Sequence, residues 1–126
     1  MLIEEFYKIK SISFTKDEAF QAIIHLNKNH SVFKGHFPNN PITPGVCLIQ
    51  TIKEITEEHV NNKLFLKSIS NIKFTSIINP YLNADLILEL FVIQDGSIVK
   101  VRNITKFVDN NIALKFNGTF IKKQLS

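Results

Sequence analysis

The chain has 126 residues, of which 44% are hydrophobic and 21% charged, a size and composition that predict one soluble globular domain. Its formal net charge of +4 is not gathered into a long basic run, which argues against nucleic acid as a partner. No apolar run is long enough to cross a bilayer, no signal peptide is visible, and the single cysteine excludes an internal disulfide. We therefore expect a cytoplasmic protein with no membrane contact.

Two strands are expected before any helix. Polar and apolar residues alternate over residues 6–15 and again over residues 19–27, which is the pattern of strands with one buried face. Asp17 and Glu18, which lie between these segments, predict a turn. In the second strand the residues expected to face the core are Phe20, Ala22, Ile24 and Leu26.

A loop stiffened by proline leads into the only predicted helix. Pro38, Pro41 and Pro44 are three of the four prolines of the chain. Proline fixes φ and restrains the residue before it to extended conformations. Thr43 is the predicted N-cap and Pro44 the predicted first helical residue, a favourable combination. The helix is then expected to continue over residues 46–59.

The predicted helix is amphipathic. Its broad apolar face is formed by Leu48, Ile49, Ile52, Ile55 and His59. The opposite face carries Cys47, Gln50, Thr51, Lys53, Glu54, Glu57 and Glu58. We interpret Cys47 as a small buried filler, with a reactive thiol near the helix N-terminus as the alternative. Asn61 and Asn62 are expected to end the helix.

Four more strands are predicted after the helix. They cover residues 64–76, 84–94, 97–107 and 112–121. Asp95 and Gly96 form a strong hairpin signal, and Asn110 with Asn111 predicts another turn. The order of two strands, one long helix and four strands predicts an α+β domain in which a curved antiparallel sheet wraps around the helix.

The loop and the helix start carry a recognisable motif. It reads GHFP at residues 35–38, PI at residues 41–42 and PGV at residues 44–46. This motif resembles that of the (3R)-hydroxyacyl-acyl carrier protein dehydratases, which have the hot-dog fold. NIKF at residues 71–74, followed by Pro80, is similar to the next strand and proline turn of that family. The resemblance covers almost the whole chain and implies a single hot-dog domain.

The resemblance also implies which residues act on the substrate. It assigns His36 as the catalytic histidine that abstracts or relays the C2 proton of a 3-hydroxyacyl thioester, a task that suits a neutral imidazole. The N–H groups of Gly45 and Val46 are unpaired helix donors that suit the thioester carbonyl. Gly45 has no Cβ to obstruct that carbonyl, although a glycine needed only for packing is an alternative. Phe37 and Pro44 are further implied substrate contacts.

One position departs from the family pattern. In the family an acid fourteen positions after the histidine works on the leaving hydroxyl, and here that position is Gln50. An amide can hydrogen-bond a hydroxyl but cannot supply a proton near neutral pH. Glu54 stands one turn later, where the family commonly has glutamine, and leans back toward Gln50. We predict that both residues contact the hydroxyl, with a solvated, non-catalytic Glu54 as the alternative.

The function implied is that of a hydro-lyase that removes water from (3R)-3-hydroxyacyl chains in fatty-acid or related acyl-chain biosynthesis. No metal or redox cofactor is expected. The implied partners are the acidic acyl carrier protein, for which Lys34 is a docking candidate, and a second hot-dog subunit in a homodimer or hetero-oligomer that shares the active site. The alternatives are a non-catalytic or partner-dependent acyl-binding subunit, and a hot-dog thioesterase in which Glu54 activates water.

Overall fold

The computed structural model describes residues 5–16, 18–33 and 41–123 of the chain. Within these ranges one long α-helix and six strands follow each other in the predicted order. The helix, α1, spans Gly45–Val60, and a short 3₁₀ turn at Ser31–Phe33 precedes it. The strands are β1 (Tyr7–Lys16), β2 (Ala19–Leu26), β3 (Leu64–Phe74), β4 (Asp85–Asp95), β5 (Ile98–Phe107) and β6 (Ile112–Lys122).

The six strands form one antiparallel sheet in the order β1-β2-β4-β5-β6-β3. β4 and β5 are joined by a tight turn in which Gly96 has a φ of 60°, and the turn before β6 contains Asn110 with a φ of 73°. Glycine and asparagine tolerate this left-handed region best. Both of these predicted turns are confirmed, whereas Asp17, in the first predicted turn, lies outside the described residues.

The two edge strands, β1 and β3, are irregular. The register of β1 against β2 shifts between Ile9 and Ser11, and that of β3 against β6 shifts between Leu66 and Ser68 and again between Ile69 and Asn71. Such bulges bend a strand and increase its twist. Bends at both edges suit a sheet that has to pack around a helix.

The hydrophobic core lies between the sheet and α1. The four β2 residues expected to face inward are buried: Phe20, Ala22, Ile24 and Leu26. The helix buries Cys47, Leu48, Thr51, Ile52, Ile55 and Thr56. The burial of Cys47 agrees with its interpretation as a filler, and Thr51 on the same side is buried as well, because the packed face is broader than the apolar side chains alone indicate. The hydroxyls of Thr51 and Thr56 donate to helix carbonyls one turn earlier, so their burial leaves no unpaired donor.

The helix begins one residue later than predicted. Pro44 is the N-cap, with φ −63° and ψ 139°, and Gly45 is the first helical residue. Thr43 is not the cap, because its N–H and its hydroxyl both donate to the carbonyl of Ile78, each at 2.9 Å. Thr43 thus fastens the segment before the helix to the segment after β3. The helix ends at Asn61 as predicted, with this residue in the left-handed conformation.

Candidate active site

A polar stripe runs along one side of α1. Val46, Gln50 and Glu54 are four residues apart and therefore lie one above the other. The amide Nε2 of Gln50 donates to Oε2 of Glu54 at 3.0 Å, and the hydroxyl of Tyr7 in β1 donates to Oε1 at 3.0 Å. Glu54 is half-buried and both its oxygens accept a hydrogen bond, so it does not belong to a freely solvated face.

Tyr7 is the residue of this group that the sequence did not single out. It was expected only to alternate within a strand, and its partner Glu54 is 47 residues away along the chain. Burial raises the pKa of the Tyr7 phenol, and the nearby Glu54 carboxylate raises it further. The phenol is consequently a stable donor in the physiological pH range.

The start of α1 presents backbone donors. The N–H groups of Cys47 and Leu48 both point to the carbonyl of Pro44, at 3.1 and 3.4 Å. No acceptor within residues 5–16, 18–33 and 41–123 meets the N–H of Gly45 or Val46. These two donors lie at the positive end of the helix dipole, where a developing negative charge is stabilised.

Gly45 also has a packing partner. A Cβ on this residue would lie 2.6 Å from Cζ of Phe74, which is closer than atoms of this kind approach. The Phe74 ring, at the end of β3, is half exposed. The alternative that this glycine is needed for packing therefore has a definite physical basis, and it is compatible with a donor role for the Gly45 N–H.

The spacing along α1 sets the order in which a substrate would meet the polar groups. Gln50 lies roughly 7.5 Å along the axis from Gly45, and Glu54 roughly 13.5 Å. Helical side chains lean toward the N-terminus, so both point in the direction of the helix start. Gln50 stands between the backbone donors and Glu54. A group bound at the helix start would reach Gln50 first, and Glu54 would act on it through Gln50.

The remaining predicted site residues lie partly outside and partly inside the described ranges. His36, Phe37 and Lys34 lie outside the described residues, and their roles stay predictions. Pro44 stands at the helix start as its N-cap. Cys47 is only 1% exposed and burial raises the pKa of its thiol, which fits the filler interpretation and opposes a reactive thiolate.

Comparison with known proteins identifies the family. The model of the ApeI-like family, described as ApeI dehydratase, matches residues 12–111, which is well over half of the chain. The chain belongs to the ApeI-like dehydratase family.

In the part that the structure describes, no group of three or more His, Cys, Asp and Glu side chains is arranged to hold a metal ion.

Two curated relatives of this ApeI-like chain carry the name 3-hydroxyacyl-acyl-carrier-protein dehydratase FabZ. The protein of Buchnera aphidicola subsp. Acyrthosiphon pisum (strain Tuc7) is 24% identical over 123 residues, which cover 90% of this chain and 80% of the relative. The protein of Wolbachia pipientis wMel is 34% identical over 70 residues, which cover 50% of this chain and 49% of the relative. The match thus spans about half the length of the second relative.

The fold of this chain resembles that of several solved structures. The dehydratase heterocomplex ApeI:P from Xenorhabdus doucetiae superposes with a TM-score of 0.67 at 18% identity, covering 91% of this chain and 97% of that one. A hypothetical thioesterase with coenzyme A from Streptococcus pneumoniae TIGR4 gives a TM-score of 0.69 at 14% identity, covering 99% and 94%. The predicted hot-dog fold is confirmed. Across the described ranges no helix has the length and apolar character needed to span a membrane.

Proposed function

We propose that this chain is a cytoplasmic dehydratase that removes water from (3R)-3-hydroxyacyl chains carried on acyl carrier protein, in fatty-acid or related acyl-chain biosynthesis. Membership of the ApeI-like dehydratase family and the FabZ relatives support this class of reaction. The observation that carries the proposal is the arrangement on α1. The N–H groups of Gly45 and Val46 lie at the helix start, and Gln50, held by Glu54, follows one turn later on the same side.

Each step of the proposed reaction has a residue suited to it. His36 abstracts or relays the proton at C2, and the negative charge that develops on the thioester oxygen is stabilised by the N–H groups of Gly45 and Val46. The C3–O bond then breaks, a double bond forms between C2 and C3, and the hydroxyl leaves as water after taking up the proton that His36 has removed from C2. Phe37 and Pro44 contact the acyl thioester in this proposal.

Gln50 takes the position of the family acid in this proposal. Its amide contacts the 3-hydroxyl, and Glu54 supports the amide from behind. The change Gln50→Glu would place a group that can carry a proton next to the leaving hydroxyl. Because positioned acid–base groups contribute about 10²–10⁴-fold to rates, we expect this variant to dehydrate at least about tenfold faster than wild type. Unchanged activity would mean that the site already has an effective proton donor, and lower activity would contradict the expected gain.

A second hot-dog subunit, identical or related, is part of the proposal. β3 is an edge strand of eleven residues that exposes the apolar side chains Phe65, Leu66, Ile69 and Phe74. Unprotected apolar edges of this length pair with another chain. The neighbour ApeI:P is itself a dehydratase heterocomplex. In an assembly of this kind the proposed His36 would work against the helix of the adjoining subunit.

A partner-dependent subunit is the second candidate function, favoured by the amide at Gln50 together with the exposed β3 edge. One assay distinguishes the candidates. Purified protein is incubated with (3R)-3-hydroxyacyl-acyl carrier protein, alone and with a related dehydratase subunit, and the enoyl product and the free acid are both quantified by mass spectrometry. Enoyl product from the chain alone supports the dehydratase. Product only in the mixture supports the partner-dependent subunit, and free acid would instead indicate a thioesterase.

A further inference from the structure

The hydrogen bonds around Glu54 fix the direction in which the Gln50 amide faces. A carboxylate can only accept hydrogen bonds, so its partner in Gln50 must be the amide nitrogen. That contact is 3.0 Å from Nε2 to Oε2. The carbonyl oxygen Oε1 of Gln50 is then directed away from Glu54, and within the described residues no donor meets it. The contact with Glu54 uses one of the two N–H donors of the amide, so the carbonyl oxygen stays available as an acceptor for a ligand.

Tyr7 holds the carboxylate that produces this orientation. Its hydroxyl occupies Oε1 of Glu54 at 3.0 Å, and the ring is half-buried against the core beside Phe6. The side chain approaches from β1, on the other side of the carboxylate from Gln50. Because both oxygens of Glu54 are engaged from two different elements, rotation of the carboxyl would break at least one hydrogen bond, which typically contributes about 0.5–1.5 kcal/mol.

We propose that Tyr7 is a positioning residue which, through Glu54, turns the carbonyl oxygen of Gln50 toward the substrate and so selects acyl groups that carry a 3-hydroxyl donor. This inference rests on the proposed function, since the substrate is the same 3-hydroxyacyl thioester. It adds a specificity for the hydroxyl as a hydrogen-bond donor. It also gives β1 a role in recognition beyond its place at the edge of the sheet.

The test compares the affinities of two ligands that differ only at C3. The intact protein is titrated with (3R)-3-hydroxybutanoyl-pantetheine and with butanoyl-pantetheine by calorimetry. A hydrogen bond of ordinary strength predicts that wild type binds the hydroxylated ligand up to about tenfold more tightly. In Tyr7→Phe this preference should fall to about threefold or less. Tyr81→Phe changes the other tyrosine of the chain, which is exposed, and should keep the wild-type preference.

The ratio of the two affinities separates a positioning role of Tyr7 from a role in stability alone, because a less stable fold weakens the binding of both ligands equally. If Tyr7 acts through Glu54, the change Tyr7→Phe should add little in a Glu54→Gln background, where the acceptor-only group is gone. Loss of both affinities in equal proportion, or an unchanged preference in Tyr7→Phe, would overturn the inference.

The binding ratio also separates this inference from the proposed function. The titration needs no turnover. A wild-type protein that prefers the hydroxylated ligand, loses the preference in Tyr7→Phe and yet forms no enoyl product would support the positioning role and contradict the dehydratase activity. Enoyl formation by wild type together with an unchanged ligand preference in Tyr7→Phe would support the dehydratase activity and contradict the positioning role.

Discussion

The two edge strands hold the central helix in different ways and present different surfaces. β1 reaches α1 through a polar contact, the hydrogen bond from Tyr7 to Glu54, and its outer part carries lysine and serine residues. β3 reaches α1 through an apolar contact, the ring of Phe74 over Gly45, and its outer part exposes large apolar side chains. One edge is thus adapted to solvent and to the site, while the other is suited to a partner chain.

The largest effect is expected from a charge on the apolar edge. Leu66 in β3 is 42% exposed and Ile12 in β1 is 38% exposed, which makes them a matched pair. A lysine buried without a partner charge at a subunit interface costs at least about 2 kcal/mol, so Leu66→Lys should weaken self-association at least about thirtyfold. Ile12→Lys should leave it unchanged. Light scattering across a dilution series measures both, and an equal response of the two variants would remove the distinction between the edges.

A smaller effect is expected where β3 meets the helix start. Gly45→Ala places a methyl group against the Phe74 ring, and we expect it to lower the free energy of unfolding by about 1–3 kcal/mol. Phe74→Ala should relieve the clash, so the double variant should be less destabilised than the sum of the two single variants. Urea unfolding of the three proteins tests this. Additive losses would show that the ring is not what excludes a side chain at position 45.

The smallest effect concerns Phe14, an exposed aromatic side chain near the end of β1. Phe14 is 69% exposed, yet its ring lies 6.0 Å from that of His59 and 5.9 Å from that of Phe20. His59 stacks on Phe20 at 4.4 Å, and burial lowers the pKa of its imidazole below 6.5. The unfolded chain therefore binds a proton more readily, and stability should decline as the pH falls below about 6.5.

Removal of the covering ring should weaken this effect. In Phe14→Ser the His59 imidazole becomes better solvated, so its pKa should rise toward the ordinary value and the decline of stability below about pH 6.5 should become shallower. Titration of the imidazole by NMR, with the exposed Phe65→Ser of β3 as the control, measures the change. The Asp85 carboxyl, whose pKa is lowered mainly by its hydrogen bond to His25, acts in a separate and more acidic range. A His59 pKa that is the same in all three proteins would contradict a covering role for Phe14.

The sequence predicts the fold well where one local pattern decides the structure. The alternation in β2, the glycine at the β4–β5 turn and the asparagine at the end of α1 each act through neighbours in the chain, and these features are confirmed. Threonine is a favourable N-cap residue, but the hydroxyl of Thr43 donates to the carbonyl of Ile78, which is 35 residues away. Local preference could not reveal that competition.

The candidate site is predictable in part for the same reason. The helical spacing of Gln50 and Glu54 is visible in the sequence, and the structure places their side chains in contact. Tyr7 and Phe74 come from opposite edges of the sheet, and only the assembled fold brings them to the helix. The burial of Thr51 likewise depends on how far the sheet extends around α1.

The central claim is that this chain dehydrates a 3-hydroxyacyl thioester. The most direct measurement is the initial rate of enoyl formation from (3R)-3-hydroxyacyl-acyl carrier protein by wild type and by His36→Ala, each alone and with a related dehydratase subunit. We expect enoyl product from the wild-type chain alone and a rate at least about 100-fold lower for His36→Ala. No enoyl product from the wild-type chain alone, or equal rates for wild type and His36→Ala when each is assayed alone, would contradict this prediction.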